Sequence, residues 1–502
     1  MGGSSVSGPR GRRWIFFGLA CLCLLMMSID MTIVAVALRS IVDDLDTSLA
    51  LAAWTMTGFM LTQTVMLPMI GKLGERYGQM RVFIACVVVF TLGSLLCGLA
   101  PNIYVLILCR VMQALGGAGF MTSATAIVAR EFPENRSRMI GLFASIMPMG
   151  GIVGPNLGGA IIQHFGWREI FLVNVPIGLV AIPLLIWMSR ASGLLAAPKQ
   201  QTRHRLDLVG SALFACAIIS TLTALTLLGE DPDFISTAPF WGLMSFGAIF
   251  LGLFIRQERR AAEPVIDLGL VVRHPFLVVN VFNFAFGACI FGGFTFIPYF
   301  ASVQYGMSPF ESGAVLTPRS VAMILVSAGT SLFLIRLGYR LPIVLGMTGI
   351  IVSMLIIGQG YSGLALGPVD IGPFGLLALT VGLSGAAMGL LMPSSNNAAL
   401  DLLPERVGVV AGLRQFFRQT GGMIGTAVIV VALSLSPDKA AGMRMIYSTL
   451  GVLLIFTIPL AFLIPDSARA KHRAATEASA RQAVAMEPAT ASTSATAAAG
   501  GR

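Results

Sequence analysis

Asp30 stands in the apolar stretch Ser28-Ile29-Asp30-Met31-Thr32-Ile33-Val34-Ala35-Val36-Ala37-Leu38, and it is the one carboxylate placed well inside such a run. Removal from water disfavours the charged form of a carboxylate. An acid held in this way can take a proton from one side of a barrier and release it on the other. Counted along a helix from Trp14, it lies roughly 24 Å up the axis, in the outer half of a membrane. The competing reading is a helix-end residue already in water. Arg110, in Arg110-Val111-Met112-Gln113-Ala114-Leu115-Gly116-Gly117, is a second charge in an apolar run. A guanidinium in such a run needs a partner or water. It can hold a nearby carboxylate ionised until that carboxylate is protonated. The alternative is a structural arginine bonded to backbone carbonyls. Gln113, Arg319, Arg414, Arg418 and Gln419 are further candidates for substrate or coupling work.

The elements that position these groups are long and apolar. The chain has 502 residues, 56% hydrophobic and 11% charged, whereas soluble domains carry about 25% charged residues. Continuous apolar runs of roughly 20 residues recur along it, each long enough to cross a hydrocarbon core as a helix. A membrane barrel would show short alternating segments instead. Fourteen spans are expected, at about 14–38, 51–71, 82–100, 103–126, 139–163, 169–189, 208–229, 239–256, 276–301, 310–335, 341–360, 372–393, 407–434 and 445–465. Arg10, Arg12 and Arg13 before the first run imitate a signal peptide. The run is too long for one and no small-residue cleavage site follows, so it reads as a retained span.

Charge sets the orientation. Of the 33 Lys and Arg, Arg110, Arg319, Arg414 and Arg418 fall within spans, and Arg39, Arg168, Lys439 and Arg444 fall in one set of alternate loops. The rest lie in the other loops or the tails, which the positive-inside rule assigns to the cytoplasm. The opposite loops carry Asp43, Asp44, Asp46, Glu230, Asp231 and Asp233. An even span count agrees, putting both termini inside. The net charge of +10 therefore implies membrane lipid rather than a nucleic-acid partner. Seven cysteines all fall in apolar runs, with no zinc spacing and no disulfide expected.

The organisation reads as a cytoplasmic segment 1–13, a six-helix bundle 14–190, a linker 191–207, two additional helices 208–260, a linker 261–275, a second six-helix bundle 276–466 and a disordered tail 467–502. Gly74-Glu75-Arg76-Tyr77-Gly78-Gln79-Met80-Arg81 joins spans two and three, and Leu334-Ile335-Arg336-Leu337-Gly338-Tyr339-Arg340 occupies the same place in the second bundle. Such internal repeats build alternating-access transporters.

Gly71-Lys72-Leu73-Gly74-Glu75-Arg76-Tyr77-Gly78-Gln79-Met80-Arg81 resembles the signature between helices two and three of the major facilitator superfamily. The resemblance implies a cytoplasmic gate at Gly71, Gly74, Glu75, Arg76, Gly78 and Arg81, with small residues letting helix ends approach. Glu75 replaces the usual Asp, and Gln79-Met80 replace basic residues, so the gate should be held less tightly. The Arg110 stretch resembles the fourth-helix motif of proton-driven members. Gly150-Gly151-Ile152-Val153-Gly154-Pro155-Asn156-Leu157-Gly158-Gly159 resembles the fifth-helix motif of antiporters, through Gly150, Gly154, Pro155, Gly158 and Gly159. The Asp30 stretch is similar to the first-helix motif of the fourteen-helix drug:proton antiporter family. Trp167-Arg168, Phe171, Asn174, Pro176 and Gly178 extend the match, as do Asp207, Gly210, Thr317-Pro318-Arg319, Gly408, Gly412, Arg418-Gln419, Gly421-Gly422 and Gly425, over roughly 14–465. Arg414 departs from the pattern, where a small polar residue is more usual. Arg414 and Arg418 on one face could attract an anionic moiety; pairing with phospholipid and cytosol at the helix end is the favoured reading.

The resemblance implies an all-α integral membrane protein of the major-facilitator-type fold, with 14 transmembrane helices arranged as 6+2+6, in a bacterial plasma (inner) membrane. It implies proton-coupled export of amphipathic small molecules by alternating access. A dedicated exporter of one metabolite, antibiotic or siderophore is the alternative, and a periplasmic adaptor protein is left open as a partner. An enzyme is not expected. No nucleotide-binding Gly-Lys-Ser/Thr run, Cys/His metal set or Ser/His/Asp grouping occurs, so no cofactor and no metal are expected and the proton gradient would be the energy source.

Overall fold

The computed structural model describes residues 10–135, 139–140, 142–143, 145–191, 207–261, 264, 266, 268–274, 276–366, 369–402 and 407–463. The connector 192–206 and the tail 467–502 lie outside these.

Apolar runs become helices because a helix satisfies its own backbone hydrogen bonds. The first half comprises α1 (Arg10–Asp44), α2 (Leu49–Tyr77), α3 (Gln79–Gly98), α4 (Ile103–Glu131), α5 (Ile146–Phe165) and α6 (Asn174–Ala191). The additional pair is α7 (Leu208–Glu230) and α8 (Ala238–Glu258). The second half comprises α9 (Phe276–Thr295), α10 (Ile297–Tyr305), α11 (Pro309–Ala314), α12 (Thr317–Leu337), α13 (Arg340–Gln359), α14 (Pro373–Leu400), α15 (Val407–Ser434), α16 (Lys439–Ile455) and α17 (Ile458–Leu463). Among the described residues, thirteen helices are long and apolar enough to span a membrane. The fifth expected span appears as α5, a 20-residue helix whose apolarity is diluted by its glycines, Pro155, Asn156 and Gln163.

Several expected spans are not continuous: 169–189 breaks at Val173 and 445–465 at Phe456 and Thr457, and two more are interrupted as well. The run 276–301 contains a π-helical turn at Gly287–Phe291 and breaks at Phe296, ahead of Pro298. The run 310–335 breaks at Val315 and Leu316, ahead of Pro318. In both, a proline that lacks a backbone donor starts the next helix instead of continuing the last. A short hairpin, β1 (Leu364–Leu366) with β2 (Val369–Ile371), also appears between α13 and α14, where the sequence showed only a loop.

The repeated loops share a backbone device. Gly78 has φ 96° between α2 and α3, and Gly338 has φ 75° between α12 and α13. Both glycines turn the chain between antiparallel helices in a region side chains rarely adopt.

The halves meet along two lines. On one, α5 packs against α11 and α12; on the other, α2 packs against α15. The α7 helix lies against both α2 and α15 and covers the second line. Trp54 Nε1 donates to Thr226 Oγ1 at 2.7 Å, and the Phe214 and Phe416 rings are 4.7 Å apart. Between the halves, α1 also touches α10 near the Asp44 end, where Arg39 Nη1 donates to the Ser302 carbonyl at 3.0 Å.

Ser320 Oγ would lie 3.3 Å from a Cβ at Gly151, within reach of a disulfide. Gly151→Cys with Ser320→Cys, in a background lacking the native cysteines, should cross-link under mild oxidation, read as a reductant-sensitive gel shift. No cross-link in any transport condition would contradict this seam.

Candidate functional site

Arg110 and Gln113 are one turn apart on α4 and therefore share a face. That face points at Asp30 of α1. Arg110 Nη1 donates to Asp30 Oδ2 at 2.6 Å, and Gln113 Nε2 donates to Asp30 Oδ1 at 2.8 Å. Asn174 Nδ2, from the start of α6, reaches the same Oδ1 at 3.3 Å. Gln113 Oε1 accepts from Arg110 at 2.5 Å, and its amide also donates to Ser94 Oγ of α3 at 2.7 Å. Arg110 Nε donates to the Thr55 carbonyl of α2 at 3.1 Å. The guanidinium lies 4.2 Å from the Phe59 ring centroid and 5.4 Å from that of Phe171.

Asp30 is 0% exposed and Arg110 1%. The reading of Asp30 as a helix-end residue already in water is thereby overturned. The purely backbone-bonded reading of Arg110 is overturned too, since one of its bonds goes to a carbonyl and others go to side chains. A buried pair survives only when its remaining hydrogen-bonding capacity is filled. Here five helices contribute to filling it. Losing one partner would strand the other charge at a cost of about 3–5 kcal/mol.

Glycine lets these helices come close enough. A Cβ at Gly93 of α3 would lie 2.6 Å from Gln113 Cα. Along α5, a Cβ at Gly150, Gly154 or Gly158 would run into Ser28, Thr32 or Ile33 of α1, the residues flanking Asp30. Ser28 Oγ donates to the Met147 carbonyl at 2.6 Å, and Thr32 Oγ1 to the Gly150 carbonyl at 3.1 Å. At the far end of α1, Asp44 Oδ2 accepts from Arg168 Nη1 at 2.5 Å and Trp167 Nε1 at 3.0 Å, tying α1 to the turn before α6.

The other face of α5 meets the second half. Pro155 has no backbone donor, so the Gly151 carbonyl loses its helical partner. Ser320 Oγ of α12 donates to that carbonyl at 2.9 Å. Asn156 Nδ2 lies 2.6 Å from Thr317 Oγ1. A Cβ at Gly159 would fall 2.7 Å from Phe310 Cα, and one at Gly313 would strike the Pro155 carbonyl.

The remaining candidates are dispersed. In the expected gate, Gly74 accepts the Gly78 N–H at 3.0 Å and is packed under Gln79. Glu75, Arg76 and Arg81 are exposed, and the Arg76 guanidinium lies 5.1 Å from the Tyr77 ring. Gly71 has open space around it, so close helix approach does not explain it. Gln419 Oε1 of α15 accepts from Thr64 Oγ1 of α2 at 2.7 Å, a direct bond between the halves. Arg414 is corrected: it is 8% exposed, with Nη1 on Asn396 Oδ1 and Nη2 3.4 Å from Ser395 Oγ. Arg418 bonds Gln415 and lies 5.4 Å from the Phe291 ring. Packing against α14 and α9 therefore replaces the expected phospholipid and cytosol. Arg319 lies 4.5 Å from the Phe294 ring. Thr55, Phe59 and Ser94 escaped the sequence reading because one carbonyl, one ring and one hydroxyl in apolar runs carry no signal. Asn174 and Phe171 stood in a matched motif but had no assigned role.

The model of the Major Facilitator Superfamily matches residues 19–426. The chain belongs to that superfamily. It is a multi-pass membrane transporter, not an enzyme. It is 29% identical to the multidrug transporter protein MdtP of Bacillus subtilis, over 85% of this chain and 76% of the relative. It is 30% identical to the tetracenomycin C resistance and export protein of Streptomyces glaucescens, over 87% and 79%. It is 31% identical to the multidrug resistance protein B homolog of Mycobacterium tuberculosis, over 83% and 75%. A crystal structure of a peptide transporter in complex with sulfate shares the fold, at a TM-score of 0.64 and 15% identity, covering 89% of this chain and 95% of the other.

Gly154→Ala and Gly158→Ala should destabilise the transporter by about 1–3 kcal/mol each through overpacking against α1, read as a lowered melting temperature in detergent. Gly71→Ala should leave the melting temperature unchanged. Equal behaviour of all three would contradict the packing described.

Proposed function

We propose that this transporter is a proton-coupled antiporter that exports amphipathic small molecules by alternating access. The single observation that carries the reading is the Asp30–Arg110 pair, wholly withdrawn from solvent inside one half. Protonating Asp30 removes the charge that answers Arg110 and frees its Gln113 and Asn174 contacts to rearrange. Because α5 bonds α1 beside Asp30 on one face and α12 on the other, that rearrangement acts on the seam between halves. Proton and substrate then bias the same two-state equilibrium, and their coupling is reciprocal.

The orientation follows from charge. With both termini cytoplasmic in a bacterial plasma membrane, the Arg39–Ser302 and α5–α11 contacts lie on the outer side, so the halves are joined towards the exterior. The energy source is the proton gradient, and no cofactor takes part. The names of the relatives, multidrug transporters and an antibiotic export protein, support an export direction.

Asp30→Asn keeps the shape of the site and removes its proton. It should lower gradient-driven efflux from energised cells by more than about 10-fold, while substrate equilibration down its own gradient persists. Undiminished uphill export by Asp30→Asn would remove Asp30 from coupling.

A second reading, a dedicated exporter of one compound, draws on relatives named for a single antibiotic, tetracenomycin C and methylenomycin A. Resistance profiling of cells with and without the gene separates the two. Broad sensitisation on deletion is expected; sensitisation to one compound alone would favour the dedicated reading.

A further inference from the structure

Cations within spans are treated differently in the two halves. In the first, Arg110 is answered by Asp30. In the second, Arg319, Arg414 and Arg418 lie within spans, and no carboxylate pairs with any of them among the described residues. Arg319 Nη2 lies 3.1 Å from Met388 Sδ, and Arg418 Nη1 lies 3.9 Å from Met392 Sδ. A thioether is a weak acceptor and brings no charge. Arg319 Nε and Arg414 Nε are buried with no hydrogen-bond partner.

These side chains share walls. Arg319 lies over Phe294 and Arg418 over Phe291, one turn apart on α9. Their sulfur neighbours Met388 and Met392 are one turn apart on α14. The two guanidinium groups are therefore neighbours along one groove, with Arg414 a further turn along α15. Arg319 and Arg418 are partly exposed, whereas Arg110 is fully buried. The π-helical turn Gly287–Phe291 places Phe291 here, and Gly287 packs directly on the Arg418 carbonyl. Such turns in helices often mark functional sites.

An unanswered cation in a low-dielectric interior is costly. A guanidinium also matches a planar carboxylate with two parallel hydrogen bonds. We propose that Arg319 and Arg418, backed by Arg414, bind the acidic group of an amphipathic organic anion, whose apolar body lies on Phe291, Phe294, Met388 and Met392. Phenylalanine and methionine give that body an adaptable surface. The proposal rests on the transporter reading and names its substrate class, yet equilibrium binding requires no gradient, so its test is separate from the efflux test of Asp30.

The test uses full-length transporter in phosphatidylcholine nanodiscs and three probes of one size: 2-naphthoate, 2-naphthamide and 2-naphthyl-trimethylammonium. Wild type should bind the carboxylate at least about 10-fold more tightly than the amide, and the cation least. Arg319→Gln and Arg418→Gln should each bring carboxylate affinity down to that of the amide, with amide affinity unchanged as the check on folding. Arg319→Lys should keep a partial preference. Equal binding of carboxylate and amide by wild type, or an unchanged preference in both glutamine variants, would overturn the proposal. Loss of the preference when phosphatidylglycerol is added would assign the groove to a lipid phosphate and overturn it equally.

Discussion

A charge inside a membrane must be answered inside the membrane. The Asp30–Arg110 pair meets that demand with a direct ion pair, two side-chain amides, one backbone carbonyl and two aromatic faces. The attraction is strong because water is excluded, and so is the penalty for breaking it unevenly. Every helix of the first half except α5 supplies a group to this cluster, and α5 packs on α1, which does. Gly93 of α3 and Gly150, Gly154 and Gly158 of α5 stand where a methyl group would hold α4 or α1 away. Close packing of the first half is thus tied to keeping the Asp30–Arg110 pair dry.

The α5 helix turns this local chemistry into a property of the whole molecule. Its Gly150, Gly154 and Gly158 face lies on α1; its Gly151, Pro155 and Gly159 face lies on the second half. Pro155 matters less as a kink than as a source of a free carbonyl, which Ser320 of the other half answers. A helix shared in this way cannot accommodate movement of α1 without altering the seam, because packed interfaces switch between discrete arrangements rather than deforming smoothly. The opposite line of contact is sheltered by α7, with the Thr64–Gln419 bond between the halves beneath it. The α8 helix packs mainly on α7 and leaves most of its surface outward.

The second half solves the same electrostatic problem without a carboxylate. Aromatic faces and sulfur surround its guanidinium groups. Such surroundings attract a cation weakly, in contrast with the fully paired first half.

The sequence by itself determined the helical membrane class, the 6+2+6 order and the glycine turns at Gly78 and Gly338. Span length, charge asymmetry and obligatory φ are local properties, written in consecutive residues. It also singled out Asp30, Arg110 and Gln113, because polar groups in apolar runs are conspicuous. Only the tertiary structure decided that these three touch, since 80 residues separate Asp30 from Arg110 and no periodicity encodes which helix faces meet. It alone supplied Thr55, Phe59 and Ser94, it gave Asn174 of the matched motif its place beside Asp30, and it moved Arg414 from the membrane surface to a position packed against α14. It also broke the ninth and tenth spans, where prolines permit an interruption but packing decides whether the chain bends. Contacts between distant helices depend on shape and on the cost of unpaired charge, and neither is visible until the chain is folded.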